Sequence, residues 1–358
     1  MTLLFLVACI KDPPPFETPL GALVPPDYFG VDVEGLTDGD TPLPGAEAGA
    51  IRLADPSLSL AGAYDAEAGA DASGFAEVAG YGGAVLGVLG PTADGDLDAW
   101  VDAAAALIDA VPEVDAWEIW SAPNLDGLDA TEAADLACGL AGVVDPALLV
   151  SPSPSWDSGA QEDPDGWFDT FLAAGGGDCV GAFAVRIDGA GSPESIPDLV
   201  DLTRDQLKDA GYVDRPIWNT GGPLDPGSAD SAGFVARWLL LQWPHGMDRA
   251  YVHSWGGSDV TLVEANNPTP AGDAMATLGA WVTGLDLSGC VVDGTTWTCT
   301  VRDEVTRSLI VWDVSGAGEI GVPEDVNTVR YLDGGSEAAG ATVALTDVPL
   351  LLDGGTGG

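Results

Sequence analysis

Along the chain, short apolar runs alternate with segments in which apolar residues recur every three or four positions. The recurring segments predict helices with one buried stripe, and the apolar runs predict parallel strands covered by helices. Eight runs are predicted strands: residues 28–33, 50–54, 84–89, 115–120, 147–151, 182–187, 216–220 and 250–255. Eight repeated β-α units predict an α/β fold, a (β/α)8 TIM barrel, over residues 27–285.

The pattern changes after about residue 286. Helical spacing stops, and short β-rich runs separated by Gly, Asp and Asn follow at residues 291–292, 296–301, 308–314, 328–332 and 341–348. Such runs are typical of antiparallel strands joined by tight turns. They predict a small antiparallel β-sandwich domain over residues 286–353.

The first residues predict export. Residues 2–8 are apolar, and Leu6-Val7-Ala8-Cys9 resembles the cleavage box of bacterial lipoproteins, in which the Cys is lipidated. Residues 1–9 are therefore the predicted signal peptide, and the Pro-rich residues 10–26 a tether. No apolar run approaches the roughly 18 residues that span a bilayer. The expectation is an envelope lipoprotein at the bacterial outer membrane or cell surface, attached to the membrane by its lipid anchor only.

Four cysteines remain after Cys9, an even number that is typical of exported proteins with disulfides. Cys290 and Cys299 flank a predicted hairpin turn at Asp293-Gly294 and are the first predicted pair. Cys138 and Cys179 then pair by elimination. The alternative is four free buried thiols.

The charge excludes one class of partner. With 57 acidic and 11 basic residues, the formal net charge is −46, and such a field repels nucleic acid. Solubility in a salty environment explains this acidity, and Ca²⁺ binding is the alternative explanation. Only two histidines are present, and no Cys/His cluster has the spacing of a zinc site. No metal site and no cofactor are predicted.

Two segments carry a resemblance to known enzymes. The fourth predicted strand ends in Trp117-Glu118-Ile119-Trp120-Ser121-Ala122-Pro123-Asn124. It resembles the Trp-Glu-Ile-Trp-Asn-Glu-Pro-Asn motif of a clan of barrel glycoside hydrolases that includes family 39, in which the second Glu is the general acid/base. The seventh, Arg215-Pro216-Ile217-Trp218-Asn219-Thr220-Gly221-Gly222, is similar to the family's Pro-Ile-Trp-x-Thr-Glu-x-Gly, whose Glu is the nucleophile.

The resemblance implies the barrel, but not the catalytic pair. Ala122 stands at the acid/base position and Gly221 at the nucleophile position. A retaining mechanism needs two carboxylates about 5–5.5 Å apart. Both are replaced here, so the chain is expected to have lost this activity. Glu118, four residues before Ala122, is predicted to serve a buried polar network.

Other positions of the motifs predict a ligand cleft. On the sixth strand, Arg186 and Asp188 stand where the family has His and Tyr. Aromatic rings stack on the C–H faces of sugars, and several tryptophans fall near predicted strand ends. The predicted ligand contacts are Trp120, Asn124, Trp218, Trp255, Arg186 and Asp188. The alternative is that the aromatic rings fill the barrel core.

Three functions are consistent with these residues. The leading hypothesis is a catalytically inactive, glycoside-hydrolase-like surface lipoprotein that binds an oligosaccharide, a polysaccharide or a partner in the barrel cleft. The second is an active hydrolase with relocated carboxylates, Asp126 and Asp225, which lie on loops shortly after the two altered positions. The third is a purely structural envelope protein.

Overall fold

A computed structural model describes residues 22–33, 50–53, 83–90, 97–156, 166–187, 192–222, 231–252, 261–264 and 267–354. One parallel sheet has nine strands: β1 (Phe29–Val33), β2 (Ala50–Leu53), β3 (Ala84–Leu89), β4 (Ala116–Ile119), β5 (Leu149–Val150), β6 (Ser155–Trp156), β7 (Phe183–Ile187), β8 (Ile217–Asn219) and β9 (Arg249–Val252). Each of the eight predicted strands overlaps one of these, so the α/β class is confirmed.

Helices separate most of the strands, as the apolar spacing predicts. They are α1 (Leu97–Ala110), α2 (Ala130–Ala141), α3 (Trp167–Ala173), α4 (Ile196–Asp209), α5 (Ser231–Leu240) and α6 (Pro270–Val282). Local sequence sets several of their ends. Asp129 caps α2 by accepting a hydrogen bond from the Thr131 amide at 2.8 Å, and Pro270 begins α6 directly after the cap residue Thr269. No helix of the described residues is long and apolar enough to cross a membrane.

The order of strands in the sheet is β5-β4-β3-β2-β1-β9-β8-β7-β6. A parallel bridge between Val150 of β5 and Ala182, next to β7, also links the two halves of this order. Side chains alternate between the helix-covered face and the opposite face, as strand geometry requires. The opposite face has a small apolar cluster: Ala84, Leu86, Ala116, Val150, Ala182, Ala184, Trp218 and Tyr251. A Cβ at Gly30 would lie 2.4 Å from the Tyr251 ring, so glycine there leaves room for the tyrosine.

The chain then forms antiparallel sheets. Their strands are β12 (Asp286–Asp293), β13 (Thr296–Arg302), β14 (Arg307–Asp313), β15 (Gly318–Gly321), β16 (Val326–Tyr331), β17 (Ser336–Ala338), β18 (Thr342–Leu345) and β19 (Leu350–Gly354); a small hairpin, β10 (Val263–Glu264) and β11 (Asn267–Pro268), precedes them. Six strands form one sheet, and β15 pairs with β18 in a second. Both sheets contribute side chains to one apolar core. The five predicted runs are confirmed as strands, whereas β15, β17 and β19 were not predicted.

The α/β part and the antiparallel part are packed together. The main apolar core contains Trp312 of β14 together with side chains of α5. At this contact, Glu194 accepts hydrogen bonds from Arg237 Nη1 at 2.8 Å and from Trp312 Nε1 at 3.0 Å. The charged pair therefore ties α5 to the antiparallel sheet.

Both predicted disulfides are present. Cys138 of α2 is bonded to Cys179, with a sequence separation of 41, and Cys290 of β12 is bonded to Cys299 of β13, with a separation of 9. The alternative of four free thiols is wrong. Cys9, the predicted lipidation site, lies outside the described residues, as do the signal peptide and most of the tether.

Candidate functional site

The carboxyl ends of β4, β7 and β8 lie at the same end of the sheet. We call the residues there the rim: 120–126, 186 and 220–222. Strands of a parallel sheet present their carboxyl-terminal side chains to one common face, which is where α/β folds place their ligand sites. The rim therefore contains both altered motif positions, Ala122 and Gly221.

Beneath the rim lies a polar network centred on Glu118. This glutamate is fully buried, and it accepts hydrogen bonds from Arg52 Nε at 2.7 Å and Arg52 Nη2 at 3.1 Å. The hydroxyls of Ser153 and Thr220 donate to the same carboxylate. Both oxygens are therefore engaged, which confirms the predicted buried polar network. A buried charge is stable in this form only when it is paired and hydrogen-bonded.

Ser121, at the position where the resembled motif has Asn, joins this network to the rim. Its Oγ accepts a hydrogen bond from Arg52 Nη2 at 2.8 Å and a second from Arg186 Nη1 at 2.7 Å. Two guanidinium groups thus meet at one hydroxyl oxygen. The arrangement brings β2, β4 and β7 together at the rim.

Arg186 occupies the space beside Gly221. A Cβ added at Gly221 would lie 2.5 Å from Arg186 Nε and 2.8 Å from its Cζ. Such contacts are far inside van der Waals range, so any larger residue at position 221 requires Arg186 to move. The glycine at position 221 and the arginine on β7 are therefore sterically coupled, which sequence alone does not reveal.

The backbone of the rim is strained at two residues. Trp120 has φ 65° and Ala122 has φ 53°, both in the left-handed region that residues with a Cβ seldom adopt. Hydrogen bonds hold this conformation: the Ala122 amide donates to Ser153 O at 3.0 Å, and Ala122 O accepts from the Leu125 amide at 3.0 Å. Strain of this kind is common at ligand sites, where surrounding structure maintains it.

The strain predicts that Ala122→Gly stabilises the protein. Glycine removes a steric cost of about 1–2 kcal/mol at this φ and adds a smaller entropic cost, for a net gain of about 0.5–1 kcal/mol. Urea unfolding measures the change. The matched control is Ala106→Gly on the exposed face of α1, which is expected to lose about 1 kcal/mol. A loss at both positions would contradict the strain argument.

Comparisons with solved structures identify this architecture. A family 39 glycoside hydrolase from the gut symbiont Bacteroides cellulosilyticus WH2 superposes with a TM-score of 0.73 at 17% identity, covering 94% of this chain and 83% of that one. A family 30 endoxylanase from Clostridium papyrosolvens C71 gives 0.67 at 11% identity, covering 96% and 98%. A family 44 xyloglucanase from Paenibacillus polymyxa, in a structure with xyloglucan, gives 0.60 at 11% identity, covering 93% and 98%.

The chain has a glycoside-hydrolase fold. The structural likeness extends over more than nine-tenths of its length, across both the parallel sheet and the antiparallel part. No protein-family model and no curated protein matches the sequence. At 11–17% identity, the comparisons establish the fold of this chain, and its chemistry depends on its own residues.

Of the predicted ligand contacts, Trp120 and Arg186 lie together at the rim and are both partly exposed. Trp120 Nε1 donates to the Asp126 carboxylate at 2.9 Å, so this candidate catalytic carboxylate holds the indole ring. The Asn124 side chain instead contacts backbone, since it donates to Ser155 O at 3.0 Å and accepts from the Ser155 amide at 2.8 Å. Asn124 therefore fastens the loop after β4 to β6.

The glycoside-hydrolase fold places Trp218 away from the rim. Its indole lies in the small apolar cluster with Tyr251, and the Arg249 guanidinium lies 4.4 Å from the ring centroid. Arg249 is the first residue of β9, so this contact belongs to the amino-terminal half of the sheet. Burial raises the pKa of the neighbouring Tyr251 to about 12, which keeps its hydroxyl protonated.

Three predicted site residues, Asp188, Asp225 and Trp255, lie outside the described residues. Within the described ranges, no group of three or more His, Cys, Asp or Glu side chains has a geometry that holds a metal ion. Sequence reasoning missed Arg52, Ser153 and Thr220. A charged residue inside the short apolar strand β2 is the signal that points to Arg52 as a buried partner.

A concave region lies at the other end of the sheet. It is a groove of about 400 Å³ between the turn that precedes β9 and strands β12 and β13, lined in part by Trp243, Met247, Leu287 and Arg302. Asp248, which also lines it, immediately precedes β9. The groove is therefore at the amino ends of the strands, away from the rim.

Proposed function

We propose that this protein binds a carbohydrate at the rim without hydrolysing it. One observation carries the proposal: the two positions that hold catalytic carboxylates in the similar enzymes are a methyl group at Ala122 and a bare backbone at Gly221. The Arg186 side chain occupies the space beside Gly221. An acid/base and a nucleophile are thus both absent from the positions that the mechanism requires.

We infer that the parallel sheet closes into an eight-stranded barrel over residues 27–285, followed by a β-sandwich over residues 286–353. The bridge between Val150 and Ala182 supports closure. So does the contact of Glu118 on β4 with Thr220 after β8, at 3.2 Å, because these strands are far apart in the order of the sheet. A closed sheet brings the residues of the rim around one opening.

The character of the rim supports a carbohydrate ligand. The partly exposed Trp120 ring is held by Asp126, and a fixed aromatic face with nearby polar donors suits a sugar ring. The similar enzymes include one whose structure contains xyloglucan. Asp188 and Trp255 remain predicted contacts of the same ligand.

We place the protein outside the cytoplasm, as a bacterial envelope lipoprotein attached through Cys9. Two disulfides support export, because such bonds persist in oxidising compartments. The Pro-rich residues 10–26 then serve as a tether between the lipid and the folded part.

The other two hypotheses differ from this one in measurable ways. An active hydrolase would need Asp126 or Asp225 as its acid, and the described one, Asp126, is exposed and hydrogen-bonded to Trp120. A purely structural envelope protein would bind no sugar at the rim.

A glycan array with the full chain, together with hydrolysis assays on every glycan that binds, tests the proposal. Binding that is weakened by Trp120→Ala, without release of reducing ends, is the expected result. Turnover that is abolished by Asp126→Asn or Asp225→Asn would establish the hydrolase instead. If none of the glycans binds, the purely structural envelope protein is the remaining hypothesis.

A further inference from the structure

Beside Gly221, where a working retaining glycosidase has a carboxylate, the rim has the positive charge of Arg186. Two guanidinium groups, Arg52 and Arg186, meet at Ser121, and the nearby buried carboxylate, Glu118, is bound by Arg52. Among the described residues, no carboxylate forms an ion pair with Arg186. The positive charge of Arg186 therefore stands at the rim of a chain whose formal net charge is −46.

Arg186 has most of its hydrogen-bonding capacity left. A guanidinium has five N–H donors, and within the described part of the chain only Nη1 donates, to Ser121 at 2.7 Å. Its Nε is buried without a hydrogen-bond partner there. Because Gly221 and Ser121 hold the side chain from two sides, the remaining donors at Nη1 and Nη2 have a defined position, whereas the buried Nε is out of reach of a ligand.

The Ser121 hydroxyl completes a site made of donors. Both lone pairs of its oxygen are used, since Arg52 and Arg186 each donate to it. Its own proton is therefore available only for donation to a third group. A partly exposed guanidinium beside a hydroxyl that can only donate is complementary to a negatively charged group that only accepts.

We propose that the rim recognises a carboxylate of the glycan, and hence that the ligand contains uronic acid residues. This inference rests on the proposed function and specifies its ligand. Planar guanidinium and carboxylate groups match in shape as well as charge, and charge-assisted hydrogen bonds are stronger than neutral ones. A neutral sugar would add no counterion for Arg186, which has none among the residues that the structure describes.

Paired probes separate the charge of the ligand from its sugar ring. Isothermal titration of the full chain uses D-glucuronate and D-galacturonate, their methyl esters, and inorganic sulfate. The variants are Arg186→Gln, which removes the charge, and Arg186→Lys, which keeps the charge but not the planar fork. Arg330→Gln in the exposed pair with Asp353 is the control for the loss of one positive charge elsewhere.

The expected result is that an acid binds more tightly than its methyl ester, and that Arg186→Gln lowers affinity for the acid about 10- to 100-fold. Affinity for the ester is unchanged, Arg186→Lys is intermediate, and Arg330→Gln resembles the parent chain. Equal binding of acid and ester would overturn the carboxylate inference and leave carbohydrate binding intact. Binding of sulfate with the same affinity as the acid would show a general anion site instead. No binding of acid or ester would overturn the inference, and the glycan array then decides the proposed function separately.

Discussion

Glu118→Gln is expected to lower the free energy of unfolding by about 3–5 kcal/mol, the usual cost of removing one partner from a buried ion pair. The substitution preserves shape, but it removes the negative charge that faces Arg52 Nε at 2.7 Å, and both side chains are almost completely buried. It also weakens the hydrogen bonds donated by Ser153 and Thr220. Urea unfolding followed by tryptophan fluorescence measures the loss.

The matched control for Glu118→Gln is an exposed pair in the same chain. Arg330 lies 2.6 Å from Asp353, with 52% and 30% of the two side chains exposed. Solvent screening limits such a pair to about 1 kcal/mol or less, so Arg330→Gln should unfold at nearly the parent urea concentration. If the two variants lost similar stability, the network beneath the rim would not be the structural centre that its contacts indicate.

Removal of the Cys138–Cys179 disulfide is expected to cost about 4 kcal/mol. The bond joins α2 to the turn before β7 and closes a loop with a sequence separation of 41, and a long closed loop removes much entropy from the unfolded chain. The double variant Cys138→Ala/Cys179→Ala avoids leaving a reactive thiol. Its unfolding in urea, compared with that of the parent chain, measures the contribution.

The second disulfide is the control for loop length. Cys290–Cys299 closes a separation of 9, and the same chain-entropy relation gives about 2.5 kcal/mol for its removal. The order of the two losses is thus expected to follow loop length, with a difference of about 1 kcal/mol. A larger loss from the hairpin bond would show that native packing around β12 and β13, and not the unfolded chain, determines the effect.

Most of the elements could be predicted because each depends on nearby residues. Apolar runs and helical spacing predicted the eight parallel strands, and turn residues predicted five strands of the antiparallel part. Two of the strands that were not predicted show where prediction from local sequence fails. The segment of β15 reads Gly-Glu-Ile-Gly, and that of β17 is exposed throughout, so neither has the apolar alternation that marks a strand.

The predicted site residues separated according to how far along their strands they lie. Trp218 and Trp120 both follow the family motifs, yet Trp218 lies among interior apolar side chains and Trp120 lies at the rim. The direction of a side chain depends on the register and curvature of the whole sheet. A motif gives the order of residues but not the direction in which each side chain points. Asn124 was therefore predicted as a ligand contact, whereas its side chain binds the backbone of Ser155.

The sequence by itself predicted the order of the elements, the two cysteine pairs and the absence of a carboxylate at the two positions marked by the resembled motifs, because these predictions depend on residue type and spacing along the chain. Only the tertiary structure decided that Arg186 lies beside Gly221, that Ser121 joins two guanidinium groups, and that Glu118 is fully engaged. Those contacts join residues up to 102 positions apart. Side chains that are distant in sequence interact only after folding brings their strands together, so the charge of the rim is a property of the folded sheet.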